Sequence, residues 1–343
     1  MRVYGADVLL AFLALGSAGA CKDNESLGTN CLTPRQACAG KSCGDVCSAC
    51  STESVTIPDI AGYCGADGVC AMAAPSCGPV DSGAAAACGK AGAATGVLTG
   101  QTITVAGQSR TYVFSVPTAY TGTTALALVL VWHGANLSGS LARTLFNLEA
   151  RSYGAAIFVY PDGLTQADGT TGWDLSAGSD DFQLFAALVS SISSNYCIDS
   201  NRVFSTGHST GAVMANDLGC YYGDVLRAIA PVSGMPPATR ANVTCTGKVA
   251  AWIAHGENDP IIPLSQGQAT RDFWIKQNGC TTQTATWAPE PACVEYQGCQ
   301  TDLPVVWCVH DAGHSWPSLT FGCDGGICFD GGSAIWAFFS SFH

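Results

Sequence analysis

The serine of Gly207-His208-Ser209-Thr210-Gly211 is the residue whose setting points most directly to chemistry. A short apolar run of β character, 202–205, leads into it, and a helix-permissive run, 212–220, follows at once. That is the strand, sharp turn and helix of a nucleophile elbow, which lifts a serine hydroxyl above a sheet edge. The turn forces an unusual backbone conformation on Ser209, and Gly207 and Gly211 flank it because side chains there would collide with the strand or the helix. In a chain with 40 glycines the pentapeptide alone is weak. Its context carries the reading.

A serine hydroxyl is a poor nucleophile until a base takes its proton, so a base and an acid to orient that base are required. Ligands gather at the carboxyl ends of strands in a parallel sheet, and two polar clusters follow apolar runs there. His255-Gly256-Glu257-Asn258-Asp259-Pro260 follows 249–253, and His310-Asp311-Ala312-Gly313-His314-Ser315-Trp316-Pro317 follows 305–309. We read Ser209 as nucleophile, Asp259 as acid and His314 as base, an order along the chain that this kind of fold uses. Asn258-Asp259-Pro260 also reads as an ordinary turn. His310 competes with His314, but it sits at a strand end where a side chain points into the core.

A third cluster, His133-Gly134-Ala135, follows 126–132. Its glycine allows the Ala135 N–H to face the reacting carbonyl, and the Thr210 N–H, at the start of a helix, points the same way, giving the two donors of an oxyanion hole. His208, beside the nucleophile, is read as lining the substrate pocket. Trp316, two residues beyond the base, is a pocket wall or a core residue, and Trp173 is read as core. His133 and His255 are expected to brace loops, Asp180 and Asp181 to cap a helix, and His343 to have no role.

The elements that must position these groups alternate. Segments 101–105 and 111–116 read as a hairpin. The runs 126–132, 155–160, 227–232, 249–253 and 305–309 are continuously apolar, the mark of strands buried on both faces of a mostly parallel sheet. Between them, 181–196 places Phe185, Leu188, Val189, Ile192 and Tyr196 on one helical face, with Ser179 or Asp180 as cap, and 333–342 is an aromatic closing helix. Alternation of this kind gives an α/β layered domain.

The formal net charge of −12, with no Lys/Arg cluster, excludes nucleic acid and anionic membrane surfaces as partners. Residues 1–20 carry Arg2, an apolar stretch over 8–15 and small residues before Cys21, which reads as a cleaved secretory signal. No later segment is long and apolar enough to span a bilayer. Nineteen cysteines in an exported chain mean disulfides. Residues 21–77 form a cysteine-rich module too small to be held by a core alone, and cross-links must stabilise it. Cys43, Cys47 and Cys50 offer an all-cysteine zinc site as the alternative, since the first histidine is His133. Composition rich in Gly, Ala, Ser and Pro over 78–100 suggests a flexible connector, with the linker placed at 78–87. Nine cysteines follow Cys88, and adding Cys88 closes that group as five pairs. Of the nine before it one is left over, and Cys21 is open to lipidation or to remaining a free or intermolecular thiol. Asn24, Asn136 and Asn242 head glycosylation sequons.

From Cys88 to the C-terminus, some three quarters of the chain, the sequence resembles the secreted feruloyl esterases and the related polyhydroxybutyrate depolymerase-like esterases. The resemblance rests on Cys88-Gly89-Lys90, Tyr160-Pro161-Asp162-Gly163, Tyr196-Cys197-Ile198-Asp199, the elbow, His255-Gly256-Glu257-Asn258-Asp259, Asn278-Gly279-Cys280, Gln297-Gly298-Cys299, Asp311-Ala312-Gly313-His314 and Trp336-Ala337-Phe338-Phe339. It implies an α/β-hydrolase fold over 88–343, a mostly parallel central sheet flanked by helices, preceded by the small disulfide-rich module. It also implies Ser209, Asp259 and His314 as the catalytic set, without metal or cofactor.

The activity implied is that of a secreted serine carboxylesterase. It would hydrolyse feruloyl or related acyl esters on plant cell-wall polysaccharide through an acyl-enzyme, so the expected partner is a polysaccharide-linked or polymeric ester. Gly313-His314-Ser315-Trp316-Pro317 is closer to the depolymerase-like branch, which keeps a polyester or oligomer hydrolase as an alternative. An alternative of another class is a surface or binding protein acting through the cysteine-rich module on a non-catalytic scaffold. Cys293, Cys308, Cys323 and Cys328 are additional to the family pattern, and 281–302 and 322–330 are elaborated loops next to the histidine.

Overall fold

The structure is a computed structural model that describes residues 46–49, 60–64, 70–71, 87–90, 92–167, 169–176, 179–237, 245, 247–318 and 328–342. Residues 1–20, read above as a signal, Cys21, Cys43, Cys50, the sequons at Asn24 and Asn242, residues 78–86 of the expected linker, Cys323 and His343 lie outside them. The chain divides into two compact units, Met1–Pro79 and Val80–His343. In the first, β1 (Val46–Ala49), β2 (Ile60–Cys64) and β3 (Cys70–Ala71) form an antiparallel sheet in that order.

The second unit opens with the hairpin β4 (Gly96–Val105) and β5 (Gln108–Val116), then β6 (Leu126–Trp132), α1 (Gly139–Phe146), α2 (Leu148–Ser152) and β7 (Ala156–Pro161). A small pair, β8 (Leu164–Thr165) and β9 (Thr171–Gly172), precedes α3 (Asp180–Asn195), β10 (Ile198–His208) and α4 (Thr210–Tyr221). Then follow β11 (Ala228–Val232), β12 (Ala250–Gly256), α5 (Leu264–Asn278), β13 (Thr284–Thr286), β14 (Cys293–Tyr296), β15 (Val305–His310) and α6 (Gly331–Ser340).

Ten of these strands form one sheet in the order β13-β14-β15-β12-β11-β10-β6-β7-β5-β4. The six central strands, β15 to β7, run parallel, and an antiparallel pair closes each edge. Parallel strands buried on both faces must be apolar throughout, and every residue of β7, β11 and β12 is buried. Side chains alternate between faces. Ala127, Val129 and Val131 of β6 join one core with α1 and α6, while Leu128, Leu130 and Trp132 join the other with α3, α4 and α5. In the first core Phe204 stacks on Phe339, ring centroids 4.5 Å apart and planes 5° apart. Each such buried ring contributes about 1.5–3 kcal/mol of transfer free energy. The α/β-hydrolase architecture expected from the sequence is therefore the observed one, with all six central strands delivering their carboxyl ends to the same side.

Four disulfides join Cys88 to Cys197, Cys220 to Cys245, Cys280 to Cys299 and Cys293 to Cys308, and Cys328 is also disulfide-bonded. Cys88 thus belongs with the later cysteines. The elaborated 281–302 segment is an extension of the sheet: β14 pairs antiparallel with β15, Cys293 opposite Cys308.

Three expectations are corrected. The connector composition of 78–100 conceals the start of β4 at Gly96, because Val97 and Leu98 pair with Ser115 and Phe114 across the hairpin and Leu98 packs on the core. Helix α3 buries Asp181, Phe182, Leu184, Phe185, Leu188 and Ile192, so its inner face is broader than the expected stripe, with Val189 and Tyr196 only half-buried. Asp181 does not cap it. Its Oδ1 accepts from the guanidinium of Arg110 on β5 and its Oδ2 accepts from the Asp174 amide at 2.6 Å, and both charged side chains are buried. Ser179 holds the N-cap position, yet its hydroxyl donates to the Asp174 carbonyl instead of accepting from the helix.

A buried pair of this kind contributes little net stability but leaves an expensive orphan when one partner is removed. Asp181→Ala should lower the unfolding free energy by about 3–5 kcal/mol. The double replacement Arg110→Met, Asp181→Leu should recover most of that loss in urea unfolding; a double variant as unstable as the single one would contradict the orphaned-charge account.

Candidate active site

Ser209 follows the last residue of β10 and precedes the first of α4, with φ 59° and ψ −123°. That conformation is strained for a residue bearing a side chain and is held by its surroundings. A Cβ on Gly207 would lie 2.5 Å from the Gly211 carbonyl oxygen and 2.6 Å from that of Trp132. On Gly211 it would lie 2.1 Å from the Trp132 carbonyl oxygen. Strand β6 and the first turn of α4 therefore touch backbone to backbone, and only glycine fits at either position.

His314 lies on the loop after β15. Its Nε2 is 2.8 Å from Ser209 Oγ and its Nδ1 is 2.7 Å from Asp259 Oδ2. Asp259, on the loop after β12, is buried, and its Oδ1 accepts from the amides of Ile261 and Ile262, each at 2.9 Å. One oxygen of Asp259 thus holds the turn, and the other meets His314. Burial raises the carboxyl pKa, but the hydrogen bonds from His314, Ile262 and Ile261 outweigh it, and the net shift is downward. Gly256 makes the approach of the two loops possible, since a Cβ there would lie 2.2 Å from the carbonyl oxygens of Ala312 and Gly313.

The loop after β6 packs on the serine from the other side. A Cβ on Gly134 would be 3.2 Å from Ser209 Cβ. His133 braces this loop: Nδ1 is 2.7 Å from the Gly134 carbonyl and Nε2 accepts the Gly163 amide at 2.8 Å, so the hydrogen sits on Nδ1. Trp173 is buried as expected, and its indole N–H also donates to the His133 carbonyl at 2.8 Å. Asn136, at φ 61°, accepts the Thr171 amide through its side chain, so the sequon asparagine is engaged in this loop. Ala135 is exposed on the loop, and Thr210 opens α4, where the first N–H groups of a helix lack helical acceptors.

His208 is buried with its ring centroid 4.8 Å from that of His314 and 6.4 Å from that of Phe146. Burial and the neighbouring His314 push its pKa down to about 3. Trp316 stacks on Phe146, centroids 3.9 Å apart, which puts it one ring removed from His208. Sequence reasoning missed Phe146, whose only signal was an apolar residue in a helix. His310, the competing base, is buried edge-on to Phe329. Among the described residues neither of its ring nitrogens has a partner, and burial, with His255, pushes its pKa down to about 4. His255 is buried with Nε2 2.8 Å from the Ile262 carbonyl.

A hydroxyl facing an imidazole whose far nitrogen is held by a carboxylate is an arrangement suited to attack on an acyl carbonyl. The comparisons with known proteins point to ester hydrolysis. Over 270 residues the chain is 32% identical to feruloyl esterase D of Neurospora crassa, covering 71% of this chain and 84% of that protein. The chain belongs to the feruloyl esterase family. It is also 30% identical to feruloyl esterase C of Emericella nidulans, over 62% of this chain and 79% of the relative. A family model described as Phospholipase/Carboxylesterase matches residues 177–296, which include Ser209 and Asp259. Acetyl xylan esterase from Aspergillus awamori superposes with a TM-score of 0.52 at 19% identity, over 67% of this chain and 94% of that one, and shares the fold. This esterase is accordingly a carboxylic ester hydrolase of the α/β-hydrolase superfamily. Among its described residues no helix is long and apolar enough to cross a membrane.

The buried histidines make the esterase sensitive to acid. In the unfolded chain each titrates near 6.5, whereas in the folded chain His310 and His208 are held at about 4 and about 3. Unfolding below pH 6.5 therefore takes up protons, and the stability these neutral rings contribute, complete above 6.5, is lost as pH falls toward 4. His310→Leu should flatten the dependence of unfolding free energy on pH between 6.5 and 4 by about one proton. Denaturant titrations across that range check it, and unchanged slopes would contradict it.

Proposed function

We propose that this esterase is a serine hydrolase that cleaves feruloyl or closely related hydroxycinnamoyl esters from plant cell-wall polysaccharide through an acyl-enzyme. The observation that carries the reading is the line of hydrogen bonds from Ser209 Oγ through both nitrogens of His314 to Asp259. Ser209 Oγ attacks the acyl carbonyl carbon while His314 Nε2 takes its proton. Asp259 fixes the tautomer with hydrogen on Nδ1 and stabilises the imidazolium that forms. The amides of Ala135 and Thr210 donate to the developing oxyanion. Collapse breaks the bond to the alcohol oxygen, which leaves with the proton from His314. Water then repeats the sequence on the acyl-enzyme, releasing the acid and restoring Ser209.

Substrate class is supported by the relatives, which are feruloyl esterases by name, and by the aromatic rings beside the serine. His208, Phe146 and Trp316 form a buried run of rings that begins beside Ser209, an apolar, aromatic flank suited to an aryl acyl group. The disulfides among the described residues fit an exported protein working outside a reducing compartment.

Ser209→Ala should lower kcat on methyl ferulate by about 10⁴- to 10⁶-fold with thermal unfolding nearly unchanged. Fluorophosphonate should label the wild-type protein at Ser209; absence of labelling would return the chain to the binding-protein class. Methyl ferulate should be turned over far better than short hydroxybutyrate oligomers, and turnover of the oligomers alone would make the enzyme a polyester hydrolase.

A further inference from the structure

His255 stands beside the carboxylate of Asp259. It is the penultimate residue of β12 and is fully buried. Because a carbonyl oxygen only accepts, the 2.8 Å contact from Nε2 to the Ile262 oxygen places the ring hydrogen on Nε2. Burial keeps the imidazole neutral, which leaves Nδ1 bare, and Nδ1 has no partner among the described residues. The same Nε2 lies 3.5 Å from Asp259 Oδ2, the oxygen that His314 uses. Its N–H dipole therefore faces the carboxylate side-on while its hydrogen bond goes to residue 262.

Residue 262 closes a circuit. Its amide, with that of Ile261, holds Asp259 Oδ1, and its carbonyl is held by His255. Behind the ring stands α5, with no side chain at the point of contact: a Cβ on Gly267 would lie 2.4 Å from His255 Nδ1 and 2.6 Å from Cγ. The imidazole is wedged between a helix backbone and the turn, without room to swing off either. A histidine that merely filled core space would need neither the directed N–H nor the bare helix behind it.

We propose that His255 is a positioning residue for proton transfer between Ser209 and His314, acting through the 259–262 turn to keep Asp259 Oδ2 on the far nitrogen of His314. This inference rests on the reading of Ser209, His314 and Asp259 as the catalytic set. Loss of the N–H frees the Ile262 carbonyl and with it the two amides that anchor the carboxylate. A base that is slightly mis-aimed loses rate in the transition state and leaves ground-state binding alone.

The test measures kcat and KM on an activated aryl ester, p-nitrophenyl acetate, for His255→Phe and His255→Gln, each alone and with Asp259→Asn. His255→Phe should lower kcat by about 10- to 100-fold with KM within about twofold. His255→Gln, whose amide N–H can reach the Ile262 carbonyl, should stay within about fivefold of wild type. In the Asp259→Asn background the His255→Phe loss should shrink below about threefold, because a residue that acts through the carboxylate has nothing left to act on. Three outcomes overturn the proposal: an unchanged kcat in His255→Phe, equal losses in the two His255 variants, or an undiminished loss in the Asp259→Asn background. If His255→Phe does not fold, Gly267→Ala serves instead. Its Cβ displaces the ring from behind and should lower kcat by about tenfold or more at constant KM, and an unaffected kcat overturns the proposal. Ser209→Ala run alongside separates the two claims. If it still turns over substrate, the catalytic set itself is wrong; if it is inactive while His255→Phe is unimpaired, only the role of His255 fails.

Discussion

The carboxyl edge of this sheet is organised around one imidazole that meets two partners at once. His314 faces Ser209 at 2.8 Å with one nitrogen and Asp259 at 2.7 Å with the other, and the three residues follow three different parallel strands. Neither contact survives a shift of an ångström, because a hydrogen bond weakens steeply with distance and angle. The sheet must therefore fix β10, β12 and β15 in register, and the loops above them must be short and flush. Glycine does the second part. Gly207, Gly211 and Gly256 each stand where a Cβ would meet a carbonyl oxygen within 2.6 Å, so three backbone-to-backbone contacts replace what side chains would otherwise hold apart.

Five of the six histidines gather near this edge, and their environments divide them sharply. His133 and His255 each give a ring hydrogen to a carbonyl, which settles their tautomers and spends their donors on loops. His208 and His310 are pushed by burial to about 3 and about 4, so both rings are weak bases at neutral pH. The dry surroundings that depress these rings also strengthen the hydrogen bonds of the Asp259 carboxylate, which ends below its ordinary pKa despite its burial. One environment thus weakens these two rings as bases and keeps the carboxylate ionised.

Features that depend on local pattern could be read from the sequence. A strand buried on both faces has to be continuously apolar, so 126–132 and 305–309 stood out and are β6 and almost all of β15. Once the strands were placed, the polar residues after each one were the natural candidates, and Ser209, Asp259 and His314 are the ones the fold brings within hydrogen-bonding distance. Features that depend on a distant partner could not be read this way. Asp181 looked like a helix cap because its Arg110 counter-ion is 71 positions away on an edge hairpin. Phe146 looked like any helical apolar residue, and the amides of Ile261 and Ile262 carry no side-chain signal. The start of β4 was hidden because its hydrogen bonds to β5, and not its Gly-rich composition, decide its conformation.

The segment 281–302 bears on the same constraint. β15 would be an edge strand without β13 and β14, and an edge strand is free on one side to fray and to carry the following loop with it. Pairing with β14 covers that side, and the Cys293–Cys308 bond fixes the pair across a separation of 15 residues, a closure that restricts the unfolded chain by about 3 kcal/mol. Cys280–Cys299 ties the far end of the same excursion back to the end of α5. The histidine is the only one of the three site residues borne by the outermost parallel strand, where the sheet itself supplies least support. Cross-links at that strand and at the segment pairing with it stiffen the base of the loop that carries the histidine.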